Sequence, residues 1–150
     1  MKDKLASTLV GVAGEYLVAG ELSLRGYIAS ITLRNSRGID IIASNADATR
    51  SVSVQVKTNS YGSDKWILNQ KAEKFHSDNH YYIFVSLKDP GERPDYYIVP
   101  SIVVANYVSS SHSEWLKGVK SDGTPRKDSG IRNFKDQQKE FLEAWNLIKL

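Results

Sequence analysis

Apolar positions near the start of the chain fall three and four apart, at Leu5, Leu9, Val12, Ala13, Tyr16, Leu17 and Gly20. That period predicts a first helix over 7–25, capped by Ser7 or Thr8 and closed by Gly26. The pattern then changes. Extended runs at 27–34, 38–44 and 51–58 are separated by Asn35-Ser36-Arg37-Gly38 and by the turn-rich stretch 45–50, which predicts a β-meander. In the third run Val52, Val54 and Val56 share one face and Ser51, Ser53, Gln55 and Lys57 the other, so one face is core and one is not.

Beyond a loop at 59–64, the stretch 66–75 suits a short helix, and 80–87 is rich enough in Tyr, Ile, Phe and Val for a buried strand. A turn at 89–93 leads to a strand at 95–99. Ser101 opens a helical pattern through Ile102, Val103 and Tyr107 towards Trp115. The polar stretch 117–133, with Gly123, Pro125 and Gly130, reads as a long loop, and an amphipathic helix from Asp136 is expected to bury Phe141, Leu142, Trp145 and Ile148.

At 150 residues and 41% apolar content the chain can bury one core, so a single domain over 1–150 is expected. Twenty Lys and Arg against 17 Asp and Glu permit contact with phosphate without polybasic behaviour. The absence of cysteine excludes disulfides, thiolate metal sites and cysteine nucleophiles, and suits a reducing compartment. Gly11, Gly14, Glu15, Gly20 and Glu21 interrupt 9–24, so neither a signal segment nor a membrane span is expected and the chain reads as cytoplasmic. With no P-loop, Gly-x-Ser-x-Gly or dinucleotide fingerprint, no organic cofactor is expected.

The chemistry gathers on the meander. If its second hairpin turns about Asp47 and Ala48, paired residues sum to 95, Asp40 lies across from Gln55, and Lys57 is its diagonal neighbour. Asp40 stands among isoleucines, where a bare carboxylate is too costly to bury. A plain Asp40–Lys57 ion pair would meet that need without any function. Glu15 adds a second carboxylate on the inward side of the first helix. Gly11 and Gly14 beside it weaken that helix by roughly 1 kcal/mol each relative to Ala, which suggests close approach of a backbone or ligand. Two carboxylates and an ammonium would supply oxygen ligands for a hard cation and suit phosphodiester hydrolysis.

Glu15 in a helix, Asp40 within Gly38-Ile39-Asp40-Ile41, and Gln55-Val56-Lys57 in the following strand resemble the PD-(D/E)XK nuclease superfamily, in the variant with Gln at the strand carboxylate. The matching stretch is 9–58. The likeness extends to small members such as Holliday-junction resolvases, Mrr-type restriction domains and intron homing endonucleases. It implies a restriction-endonuclease-like α/β (α+β) fold: an αβββαβ core over about 7–100 with a mixed sheet flanked by helices, and a C-terminal helical and loop extension over 101–150. It further implies a DNA endonuclease dependent on Mg²⁺, for which Mn²⁺ substitutes. Asp40 would be the central metal ligand, Glu15 a second and the Val56 carbonyl a third, with Lys57 positioning water or stabilising the phosphate. Gln55 ligates only through a neutral amide oxygen, which leaves open a catalytically weakened module that binds nucleic acid or a partner.

Arg126, Lys127 and Arg132 in the long loop, together with Arg37, are the candidate DNA contacts. His76, His80 and His112 lack zinc-site spacing. Trp66, Trp115 and Trp145 sit in apolar-periodic segments and read as core or interface. Cutting both strands favours a homodimer or homotetramer, with the 102–115 and 141–150 segments as candidate interfaces.

Overall fold

The computed structural model describes residues 4–33, 37–60 and 63–150; residues 34–36 and 61–62, which fall in the expected first turn and in the loop before 65, lie outside the described residues. Helix α1 (Ser7–Leu24) matches its predicted span, and Gly26, with φ of +87°, takes the left-handed turn that ends it. Strands β1 (Ile28–Ile31), β2 (Ile41–Ser44) and β3 (Ser51–Asn59) form the antiparallel meander. Its register pairs Ile41 with Val54 and Ser44 with Ser51, the pairing expected from a turn about Asp47 and Ala48.

Strand β5 (His80–Ser86) lies parallel to β3, and β6 (Asp95–Pro100) runs antiparallel to β5, giving a mixed sheet in the order β1-β2-β3-β5-β6. Alternation on β5 sends Tyr81, Ile83 and Val85 to one face and Tyr82 and Phe84 to the other, and both faces are buried. Val18 and Leu22 of α1 cover the first face, together with Trp145 and Ile148 from the C-terminus. Helix α2 (Ser101–Lys117) covers the second through Val104 and Val108.

Three expectations are corrected. The crossover between β3 and β5 carries strand β4 (Trp66–Asn69) and a single 3₁₀ turn (Gln70–Glu73) instead of a helix. Trp66 and Leu68 are buried while Ile67 and Asn69 are exposed, a period of two that fits a strand, and the Asn69 side chain accepts from Lys71 N–H to start the turn. The 117–133 loop is shorter than expected because β7 (Ile131–Phe134) pairs with β4 in a second small sheet. The C-terminal helix does not form. Lys139 and Glu143 take positive φ of 54°, the Asp136 carboxylate accepts from the Glu140 and Phe141 amides, and Glu143 N–H donates to Tyr96 O. This strap along β6 buries Trp145 and Ile148 through a single 3₁₀ turn (Trp145–Leu147) in place of the expected helix. Among the described residues, no helix is long and apolar enough to cross a membrane.

Candidate active site

The register that pairs β2 with β3 stops at Ile41 and Val54, and Asp40 sits just past it. Its N–H donates to Val54 O at 2.8 Å, so the backbone groups of residues 54 and 56 on β3 face the β2 side. The Ile39 and Asp40 carbonyls turn the other way, towards Thr32, which donates to them through its hydroxyl and amide. The Val56 N–H is thereby left to the Asp40 carboxylate, which accepts it at 2.7 Å through Oδ2. The side chain takes over where the ladder ends, and this places a carboxylate beside the Val56 carbonyl.

Burial pushes the Asp40 carboxyl above its ordinary 3.8, while the Val56 hydrogen bond and the Lys57 charge only partly offset the rise. The Asp40–Lys57 relationship is therefore a through-space attraction that does not fully compensate the half-buried carboxylate. A hard divalent cation would. Asp40 and the Val56 carbonyl are oxygen donors of the kind such an ion takes, so the residues present fit one. Among the described residues no three His, Cys, Asp or Glu side chains gather as a metal cluster, which makes any such site poor in carboxylates.

Glu15 is half-buried on the turn of α1 that touches β3. The contact is Gly14, fully buried, whose missing Cβ would overlap Thr58 Oγ1 on the residue after Lys57. Of the two glycines expected to mark a close approach, Gly14 does so, and Gly11 faces open space. Gln55 and Lys57 lie on the sheet face opposite the three valines, next to Tyr82 and Phe84 of β5, and both line an open groove of about 560 Å³ with Arg37.

The other candidate DNA contacts are not gathered with these. Arg132 is 6% exposed and donates through Nε to Glu73 at 2.7 Å, so it is a buried tie between β7 and the 3₁₀ turn, not an outward-reaching group. Arg126 donates to Trp115 O at 2.6 Å and lies over the Trp115 ring, closing the end of α2. Lys127 remains exposed. His80 is buried, with Nδ1 2.7 Å from Ser53 Oγ, and burial lowers its pKa. His112 pairs with Asp128. Trp66 and Trp145 are core, and Trp115 is half-exposed between His112 and Arg126. Sequence reasoning passed over Lys71 and Phe75, which share the groove with Lys57. The available signal was the period of two at 66–69 followed by an Asn-led turn.

No protein-family model and no curated protein sequence matches the chain. Among solved structures, it superposes on the bacterial homing endonuclease I-Ssp6803I with a TM-score of 0.55 at 14% identity, covering 97% of this chain and 92% of that one. It is also similar to Hjc, a Holliday junction resolvase from the archaeal hyperthermophile Archaeoglobus fulgidus, at TM-score 0.47 and 13% identity over 84% of each chain. Mixed sheet, leading helix and end-to-end coverage agree: the chain has a PD-(D/E)XK-like nuclease fold.

Proposed function

We propose that this chain is a divalent-metal-dependent endonuclease that hydrolyses DNA phosphodiesters at Asp40. The observation that carries the proposal is the Asp40 carboxylate, half-buried on the Val56 N–H beside Lys57, with the cost of its desolvation only partly offset by that hydrogen bond and charge. When bound, Mg²⁺ or Mn²⁺ supplies Lewis-acid polarisation of the phosphate and a more acidic water. Asp40 and the Val56 carbonyl would hold the ion, and Glu15 would add an oxygen directly or through water. Lys57 directs its ammonium at the attacking water and the phosphate oxygens, where negative charge builds as water adds to phosphorus and the bond to the leaving sugar oxygen breaks. Gln55 contributes a neutral oxygen where a third carboxylate would strengthen binding. The test is incubation with supercoiled and branched DNA in Mg²⁺, Mn²⁺ or chelator: cleavage in either metal and none in chelator is expected.

Gln55 also favours a second reading, a DNA-binding module of the same fold with a weakened site, which binds these DNAs and leaves them whole in either metal.

One site cuts one strand, so the enzyme acts as a two-fold homo-oligomer. The C-terminal segment is spent on its own core through Trp145 and Ile148. The outward face of α1, where Leu9, Val12 and Tyr16 are exposed at helical spacing beside the edge strand β1, is the better interface.

A further inference from the structure

The groove beside Lys57 is built for more than a phosphate. Three cations, Arg37, Lys57 and Lys71, line it, and among the described residues no carboxylate does. Among the described residues, none of the three makes a salt bridge. Phosphates would need nothing else, yet the floor is apolar, formed by Leu68, Phe75 and Tyr82. Burial drives the Tyr82 phenol up to about 12, so it adds no charge. Phe75 is 42% exposed although its ring is braced by two neighbours. One neighbour is Gly38, where an added Cβ would lie 3.0 Å from the ring; another is His80, edge-on at 4.9 Å between centroids. Gly38 stands two residues before Asp40, so the wall of the groove and the loop carrying the carboxylate are one structure.

An exposed, braced aromatic ring, a neighbouring amide from Gln55 and cations at the rim match the parts of a single nucleotide: a base with a flat apolar face and polar edge, flanked by phosphates. A volume of about 560 Å³ is enough for one such unit. We propose that the groove holds one unstacked nucleotide next to the phosphate being cut, with its base on Phe75 and its outer phosphate at Lys71. The preferred substrate is then DNA with an unpaired nucleotide at the cleavage position, not an uninterrupted duplex. This rests on the nuclease reading above.

The test uses the full chain without metal and two DNAs of one sequence, one fully paired and one with a single-nucleotide 2-aminopurine bulge. Fluorescence anisotropy should give the bulged DNA roughly tenfold tighter binding, the size of one base–aromatic stack, with quenching of the 2-aminopurine signal. Phe75→Leu should abolish the preference and the quenching while leaving affinity for paired DNA unchanged, and Phe75→Tyr should restore both. Lys71→Ala, at an exposed position, should reduce the preference without unfolding the chain. Equal wild-type affinity for the two DNAs, or a preference that survives Phe75→Leu, overturns this inference and leaves the nuclease reading standing. Binding to neither DNA overturns both.

Discussion

Gly14 of α1 rests directly on Thr58 of β3, and the fit leaves no room for even one methyl group. The contact sets the distance between the helix that carries Glu15 and the strand that carries Lys57. Gly14→Ala should therefore cost about 1–3 kcal/mol, as overpacking does, and reduce cleavage by displacing Glu15. Gly11→Ala and Gly20→Ala, which meet nothing within 4 Å, should instead stabilise by up to about 1 kcal/mol through helix propensity. Thermal unfolding of the three variants separates a packing requirement from a helix-forming one.

Asp40 is held at the expense of stability. Burial raises its carboxyl above 3.8, so the folded state binds that proton more tightly than the unfolded chain. Its contribution is present below pH 3.8 and is lost as pH rises through the folded value. Asp40→Asn keeps an oxygen for the Val56 N–H and removes the charge. In chelator, the variant should match the wild type at low pH and become the more stable of the two as pH rises, reaching a plateau by neutrality. Denaturant titrations across pH 3–7 read that difference, and a gap that stays flat or reverses would refute the burial penalty.

Glu21 works in the opposite sense. Burial pushes its carboxyl up, but hydrogen bonds from Arg93 and Arg25 outweigh this and hold it below its ordinary 4.5. Its stabilisation is present above pH 4.5 and lost as pH falls through the lower folded value. Arg93 also reaches Glu143 at 2.9 Å, tying the C-terminal strap to α1. Arg93→Ala should cost about 1 kcal/mol at neutral pH, because the Arg93 side chain is 54% exposed and solvent screens both pairs, and less below the Glu21 transition. Melting curves at pH 7 and pH 3 check both halves.

Self-association through the outer face of α1 should be sensitive to charge there. Leu9→Glu, at a position 54% exposed, should yield monomers with an unchanged fold, because Leu9 belongs to neither buried core cluster. Light scattering with circular dichroism tests this, and a wild type that is monomeric at all workable concentrations defeats it.

The meander was legible because three signals agree there. The valine alternation of 52–56 admits no one-residue slip, the turn about Asp47 and Ala48 sets the pairing, and Gly26 ends the helix before it. The register brings Asp40, Gln55 and Lys57 to one end of the β2–β3 pair, but the expected Asp40–Gln55 pairing does not form, because the ladder ends at Ile41 and Val54 and the Asp40 N–H donates to Val54 O. The role of the Val56 N–H does not follow from the register, since it depends on where the β2–β3 ladder stops. The C-terminus misled for a related reason. Phe141, Leu142, Trp145 and Ile148 carry a helical period, but the carboxylate of Asp136 and the positive φ at Lys139 and Glu143 recruit the same residues into a strap. Arg132 looked like a loop cation because its strand exists only by pairing with β4, over 60 residues earlier.

The central claim is that Asp40 is a metal ligand and that Lys57 acts on water and phosphate. Calorimetric titration of Mg²⁺ into the wild type, Asp40→Asn, Lys57→Ala and Gln55→Glu, each with and without DNA, tests it most directly. The expected outcome is weak binding by the wild type, loss in Asp40→Asn, retained affinity in a cleavage-dead Lys57→Ala, and tighter binding in Gln55→Glu, which adds a negative ligand. No cation binding by the wild type, with or without DNA, would contradict it.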